Sequence, residues 1–163
     1  TIEDNILEED KHAVQGHCNG NSVAQGYGEK VDESFNNVII RRNKLTNLGA
    51  VGIGCASCNG ALIVDNIIID KSGVMNRGIA VPERREESVK SNKVVISNNR
   101  IYMINSSGAA LRLGGVNTFN VSDNIIMVPD ADVIENCFKL TDANANTDIS
   151  SNECLSIKAD ADW

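Results

Sequence analysis

A short motif recurs six times along this 163-residue chain: apolar residue, two further residues, asparagine, one residue, apolar residue. The copies are Ile2-Glu3-Asp4-Asn5-Ile6-Leu7, Val38-Ile39-Ile40-Arg41-Arg42-Asn43-Lys44-Leu45, Ala61-Leu62-Ile63-Val64-Asp65-Asn66-Ile67-Ile68, Val94-Val95-Ile96-Ser97-Asn98-Asn99-Arg100-Ile101, Phe119-Asn120-Val121-Ser122-Asp123-Asn124-Ile125-Ile126 and Thr147-Asp148-Ile149-Ser150-Ser151-Asn152-Glu153-Cys154. Aligned on the last asparagine, the position three before it holds Ile2, Ile40, Ile63, Ile96, Val121 and Ile149. The position two after it holds Leu7, Leu45, Ile68, Ile101, Ile126 and Cys154. Five before it, in the longer copies, stand Val38, Ala61, Val94, Phe119 and Thr147. Alternation on either side of a fixed interruption is the pattern of two strands meeting at a corner, with these columns facing inward.

The asparagines are spaced 38, 23, 33, 25 and 28 residues apart. A constant motif with variable spacing means a repeating frame with loops of different lengths. A second strand is expected after each motif: Ala13-Val14-Gln15, Val51-Gly52-Ile53, Ile79-Ala80-Val81, Leu111-Arg112-Leu113 and Phe138-Lys139-Leu140. Composition agrees. Isoleucine (18) and valine (15) outnumber leucine (8) about fourfold, which favours strands, and 21 asparagines exceed what isolated strands tolerate. Coils stacked about 4.8 Å apart put each motif asparagine over the next, where side-chain amides hydrogen-bond along the column. The expected fold is therefore all-β: one right-handed parallel β-helix of about six coils with an internal Asn ladder. A single domain spans 1–163, with coils around 1–35, 36–60, 61–92, 93–116, 117–143 and 144–163. The chain opens at Thr1 without a methionine or a leader, so a piece of a longer chain is expected. Trp163 is placed as a cap over the last coil.

The string Asn37-Val38-Ile39-Ile40-Arg41-Arg42-Asn43-Lys44-Leu45, followed by Gly49-Ala50-Val51-Gly52-Ile53, resembles the parallel β-helix repeat of the pectate-lyase-like superfamily. That superfamily includes carbohydrate-binding and sugar-hydrolase domains. The resemblance extends over essentially the whole chain. It implies functions ranging from polysaccharide lyases, glycoside hydrolases and uronan epimerases to phage tailspikes and structural modules, among which fold alone does not choose. Of the galacturonan hydrolase signatures only Asn146-Thr147-Asp148 matches by letters. The chain has no Asp-Asp pair, no His-Gly and no Arg-Ile-Lys, and the Asp-Pro-His-Glu of epimerases is missing too. What the resemblance implies is a module that binds or cleaves an acidic polysaccharide or oligosaccharide, by lyase or hydrolase chemistry if it is an enzyme. The alternative is a non-catalytic β-helix of a phage tail, adhesin or other assembly, or a protein with an unknown ligand.

The net charge of −7 argues against nucleic acid and anionic membrane surfaces as partners. No 18-residue apolar run is present, so no transmembrane helix is expected. Five cysteines cannot all pair within one chain, which leaves the compartment open, an extracellular one included.

The outward column of the second strand is expected to read Gln15, Gly52, Ala80, Arg112 and Lys139. In the resembling enzymes the substrate lies along such a face, where a cation neutralises the uronate carboxylate and can act as base. Arg112, Lys139 and the nearby Arg77 are the catalytic candidates. Gln15, Arg112 and Lys139 are the substrate-binding candidates. Solvated surface charge is the plain alternative. No cofactor is required, but two metal sites are conceivable. Asp65 and Asp123, stacked with Asn98 between them, offer oxygen ligands to Ca²⁺, or form a solvated polar edge. Cys55-x-x-Cys58 with Cys18 and His17 makes a Cys₃His set suited to Zn²⁺, against free thiols or a Cys18–Cys58 disulfide. Finally, Ile39, Leu62 and Val95, then Ile67, Ile69, Tyr102, Ile125 and Met127, fall on outward positions, which a solvated sheet does not favour. That face predicts a homo-oligomer or the remainder of a larger protein. The charged insertion from Pro82 to Lys90 is expected to be a loop on the binding side.

Overall fold

A computed structural model of the chain describes residues 1–8, 21–23, 34–81, 90–105, 108–114, 118–140 and 148–157. The first coil holds β1 (Ile2–Glu3), β2 (Ile6–Glu8) and β3 (Asn21–Val23). The second holds β4 (Phe35–Asn36), β5 (Ile39–Arg41), β6 (Lys44–Thr46) and β7 (Val51–Cys55). The third holds β8 (Cys58–Asn59), β9 (Leu62–Val64), β10 (Ile67–Asp70) and β11 (Arg77–Val81). Next come β12 (Val94–Ser97), β13 (Arg100–Met103) and β14 (Leu111–Leu113), then β15 (Phe119–Ser122), β16 (Ile125–Val128), α1 (Ile134–Cys137) and β17 (Phe138–Leu140). In the sixth coil β18 (Glu153–Ser156) is described.

Equivalent strands stack into three parallel sheets. The first is β1-β5-β9-β12-β15, the second β2-β6-β10-β13-β16-β18 and the third β3-β7-β11-β14-β17, with a short pair β4-β8 beside them. This is the right-handed parallel β-helix that the repeat demands. Register follows the motif: Ile40 pairs with Ile2 and Ile63, and Ile68 with Leu45 and Ile101. The inward columns Ile40-Ile63-Ile96 and Leu45-Ile68-Ile101-Ile126 are fully buried, as are Ile53, Ile79, Leu111 and Leu113 of the third sheet. Isoleucine predominates because a β-branched side chain stands stiffly on a pleated surface and meets its like on the rung above.

The corner between the first two sheets takes two residues in each of the first five coils. The first of the two adopts a left-handed backbone, with φ of 56° at Asp4, 53° at Arg42, 57° at Asp65, 54° at Asn98 and 58° at Asp123. Short polar side chains tolerate that conformation best, which is why this column is mostly Asp and Asn. Arg42 is the exception, and its guanidinium is tied down by Asp4 at 2.7 Å and Glu3 at 2.8 Å.

The second corner residue is the motif asparagine. The Nδ2–H groups of Asn5, Asn43, Asn66, Asn99 and Asn124 donate to Oδ1 of Asn43, Asn66, Asn99, Asn124 and Asn152 at 2.9, 3.0, 2.9, 2.9 and 2.8 Å. The backbone N–H of each donor residue reaches the same oxygen at 3.0–3.1 Å. Nδ2 also donates to carbonyls of its own and the preceding coil, as Asn99 does to Ser97 and Ile63. Buried amide groups are thereby satisfied where the sheet ladders break.

The third sheet corrects the expected register. Ala80 pairs with Gly54, not Gly52, and Gly54 pairs with Ser22 of β3. In the first coil the described strand of this sheet is Asn21–Val23, and Ala13-Val14-Gln15 lies outside the described residues. The error has a steric cause. Gly52 and Gly78 occupy an inward corner column without room for a side chain. A Cβ on Gly78 would lie 2.7 Å from Ile101 Cγ2 and 2.9 Å from the Ala110 carbonyl oxygen. Both glycines lie within β7 and β11 but face inward there, so the outward position of β7 is Gly54 and not Gly52. The helical turn α1 was not anticipated either.

Candidate functional site

The outward column of the third sheet reads Gly54, Ala80, Arg112 and Lys139, with Ser22 of β3 in backbone register with Gly54. Gln15 lies outside the described residues. Arg112 and Lys139 are direct neighbours across one rung, on β14 and β17, and Ala80 precedes them on β11. Arg112 is half-buried and Lys139 exposed. Neither forms an ion pair with another described residue. Their strand positions lie about 4.8 Å apart in the backbone, close enough for one anionic ligand to meet both side chains. Arg77 also belongs to this sheet but pairs with Val51, on the far side of the Gly78 corner, so it flanks the column without joining it.

Loop variability concentrates around the same sheet. The corner between sheets one and two is two residues in each of the first five coils, whereas the connections into sheet three span 9–20, 47–50, 71–76, 104–110 and 129–137. Those leaving it are equally uneven, among them the insertion that begins at Pro82, whose residues 82–89 lie outside the described residues. A solenoid varies its loops where it binds and keeps its corners where it stacks.

The other candidates fare differently. Asp65, Asn98 and Asp123 do stack on consecutive coils and are exposed. Their common left-handed backbone accounts for the residue types without a cation. Among the described residues no three His, Cys, Asp or Glu side chains converge into a metal-holding group. Cys55 and Cys58 are joined to each other in a disulfide, so the expected Cys18–Cys58 pairing is corrected and the two offer no thiolates to zinc. His17 and Cys18 lie outside the described residues. A second disulfide, Cys137–Cys154, was not foreseen. It became possible because α1 brings Cys137 into the inward corner column while Cys154 ends the inward column of sheet two.

Of the outward apolar residues, Leu62 and Ile67 are 39% and 38% exposed, whereas Ile69 is buried at 4%. Ile39, Val95, Tyr102, Ile125 and Met127 are half-buried, and Lys71 Nζ lies 6.0 Å from the Tyr102 ring centroid. Asn146, Thr147 and Trp163 lie outside the described residues. Asp148 accepts a hydrogen bond from the Ser150 backbone N–H at 2.9 Å, which lowers its carboxyl below the usual range in a local turn.

Two features escaped the sequence reading. Arg41 and Arg42 grip Glu3 and Asp4 on the edge coil. The Arg41 hydrogen bond holds the Glu3 carboxyl below its ordinary value, and the Arg42 hydrogen bond does the same for Asp4. Asp70 is fully buried, with Oδ1 accepting from the Ser72 N–H, Ser72 Oγ–H and Gly73 N–H at 3.0, 2.6 and 3.1 Å. The run Asp70-Lys71-Ser72-Gly73 carries a recognisable turn signal for that arrangement.

Among the described residues no helix is long and apolar enough to cross a membrane. In comparison with known proteins, the family described as "right handed beta helix region" matches residues 1–154. No curated protein and no solved structure matches the chain.

Proposed function

Because the chain belongs to the right-handed β-helix family, we propose that it is a carbohydrate-associated module whose glycan-facing surface is the outward side of the third sheet. The observation that carries this reading is the rung pair Arg112–Lys139 on a protein of net charge −7. Two cations at rung spacing suit a polymer with carboxylates at regular intervals, and Gly54 in the same column presents no side chain to a sugar ring. The same cations can neutralise a uronate carboxylate, and a lysine or arginine at that position can take its α-proton, as lyase chemistry requires. Binding an acidic glycan is the core of the proposal, and cleavage is an addition to it.

The test is a panel of polyuronides and neutral polysaccharides, scored for retarded migration in affinity gels and for ultraviolet absorbance from unsaturated products. Retention by polyuronides, weakened in Arg112→Ala and Lys139→Ala, supports the binding role. Retention without an absorbance rise limits it to binding. Equal migration on every glycan removes it.

A structural role in an assembly is the alternative, and one observation favours it: Leu62, Ile67 and Leu155 each leave nearly two-fifths of their surface exposed on outward positions.

A further inference from the structure

One column of the core changes its chemistry between the fifth coil and the sixth. On the inward side of the third sheet Gly52, Gly78, Ala110 and Cys137 stand in register, because Ile79 pairs with Ile53 and Leu111, and Leu111 with Phe138. The two glycines face the second-sheet column of the coil that follows them. A Cβ on Gly52 would lie 3.1 Å from Ile68 Cγ2, and one on Gly78 would lie 2.7 Å from Ile101 Cγ2. Cys137 stands in the same relation to Cys154, which follows Ile126 in that second column. There the contact is a disulfide instead of close apolar packing.

The two sulfurs belong to segments held with different firmness. Cys154 lies on β18, which pairs with β16 over four residues beside the Asn124–Asn152 rung of the ladder. Cys137 ends α1, which is four residues long, has no side-chain hydrogen bond at its N-cap Val133, and buries only Cys137. Val133 and Ile134 are 44% and 45% exposed. A helical turn this short depends on its tertiary ties. Those ties include Ala110 N–H donating to Asn136 O at 2.9 Å and Ala131 N–H donating to Ser156 Oγ at 3.2 Å. β17 starts at the next residue, Phe138, and its Lys139 pairs with Arg112.

We propose that the Cys137–Cys154 disulfide is the latch that holds β17, and with it Lys139, in place beside Arg112, so that the cationic pair is complete only in the oxidised protein. Lys139 is the group that meets the ligand, and the cystine is a positioning element two residues before it. Its consequence for ligands rests on the glycan reading above, whereas the latch itself does not. Dithiothreitol opens the bond by attack of one thiolate on a cystine sulfur. A mixed disulfide forms, the reagent's second thiolate closes it into a ring, and both cysteines are left as thiols.

The experiment compares the full chain oxidised, in dithiothreitol, and as Cys137→Ser/Cys154→Ser, which spares Cys55–Cys58. Breaking the bond either way is expected to speed amide exchange at residues 138–140 about tenfold, while Ile53 and Ile79 keep their protection. A short oligouronide should bind about fivefold more weakly, the size of one exposed ionic contact. In a Lys139→Ala background breaking the bond should weaken binding no further, whereas in Arg112→Ala it still should. Cys137→Ala/Cys154→Ile, which copies Ala110 and Ile126 of the preceding coil, should restore binding and make it indifferent to dithiothreitol. Should a variant fail to fold, wild type with and without dithiothreitol decides. Unchanged exchange at 138–140 after the bond is broken overturns the latch. So does an equal weakening in the Lys139→Ala background, which would mark a general loss of structure. If the oxidised protein binds no oligouronide, the glycan reading fails by itself and the exchange rates judge the latch.

Discussion

The side-chain amide of Asn66 donates to Oδ1 of Asn99 at 2.9 Å, and neither residue is exposed to solvent. Asn99 Oδ1 also accepts the Asn66 backbone N–H at 3.0 Å, and Asn99 Nδ2 serves Ile63, Ser97 and Asn124. Asn99→Ala therefore strands several buried polar groups at once. The expected loss is ~3 kcal/mol or more, or a melting temperature lower by roughly 10 °C for a chain of this size. Thermal denaturation followed by circular dichroism measures it, and an unchanged midpoint would refute the ladder's role.

Asn99→Asp gives a sign as well as a size. Its second carboxylate oxygen would face the Ile63 and Ser97 carbonyls and Asn124 Oδ1, three acceptors with no donor. Only the protonated acid can donate there, so the folded state raises the pKa of this group above its unfolded value. Stability of the variant should be retained at pH below the unfolded carboxylate value and fall as pH rises through the folded one. Melting points from pH 3 to 8 should separate further from wild type as pH increases.

The opposite sign holds on the edge coil. Glu3 and Asp4 have folded values below their ordinary 4.5 and 3.8 because Arg41 and Arg42 donate hydrogen bonds to them. Their contribution is present above those ordinary values and is lost as pH falls through the lowered ones, so the first coil should loosen only in acid. Carboxyl titration by NMR should show Asp4 moving back toward its ordinary value in Arg42→Ala. Both groups are solvent-exposed, so the global melting point should barely move.

How much of this could be read from the letters depends on where side chains carry the constraint. The six asparagine copies reveal the coils, the inward columns and the first two sheets, because alternation about a fixed polar residue is unambiguous. Sheet three is harder. Val51-Gly52-Ile53 is part of strand β7, as its letters suggest, yet Gly52 is kept small by Gly78 and Ile68, and it is Gly54 that pairs with Ala80. Arg112 and Lys139 were legible as rung neighbours because Leu111-Arg112-Leu113 and Phe138-Lys139-Leu140 alternate cleanly. The cysteines were not. Cys55-x-x-Cys58 has the same spacing for zinc as for a disulfide, and the Cys137–Cys154 pairing depends on a cross-core contact between α1 and β18 that no local pattern announces.

Those disulfides make a separate prediction. Alkylation of the unfolded, unreduced protein should modify at most one of the five cysteines, and reduction should release four more. Replacing Cys137 and Cys154 by alanine removes a cross-link closing 17 residues at the last coil, for a loss of about 3 kcal/mol by chain-entropy reasoning. Five reactive thiols in the unreduced protein would contradict the pairing.

Gly78→Ala tests the corner of sheet three. The added methyl meets Ile101 Cγ2 at 2.7 Å and the Ala110 carbonyl oxygen at 2.9 Å, and overpacking of this kind costs roughly 1–3 kcal/mol. Urea denaturation should show a lower midpoint with an unchanged slope.

The central functional claim is that an acidic glycan lies along the outward side of the third sheet. Amide chemical-shift mapping with a short oligouronide tests it most directly. Perturbations centred on Gly54, Ala80, Arg112 and Lys139, weakened by added salt and lost in the Arg112→Ala/Lys139→Ala double variant, are the predicted result. Shifts confined to the second sheet, or none at saturating ligand, would contradict it.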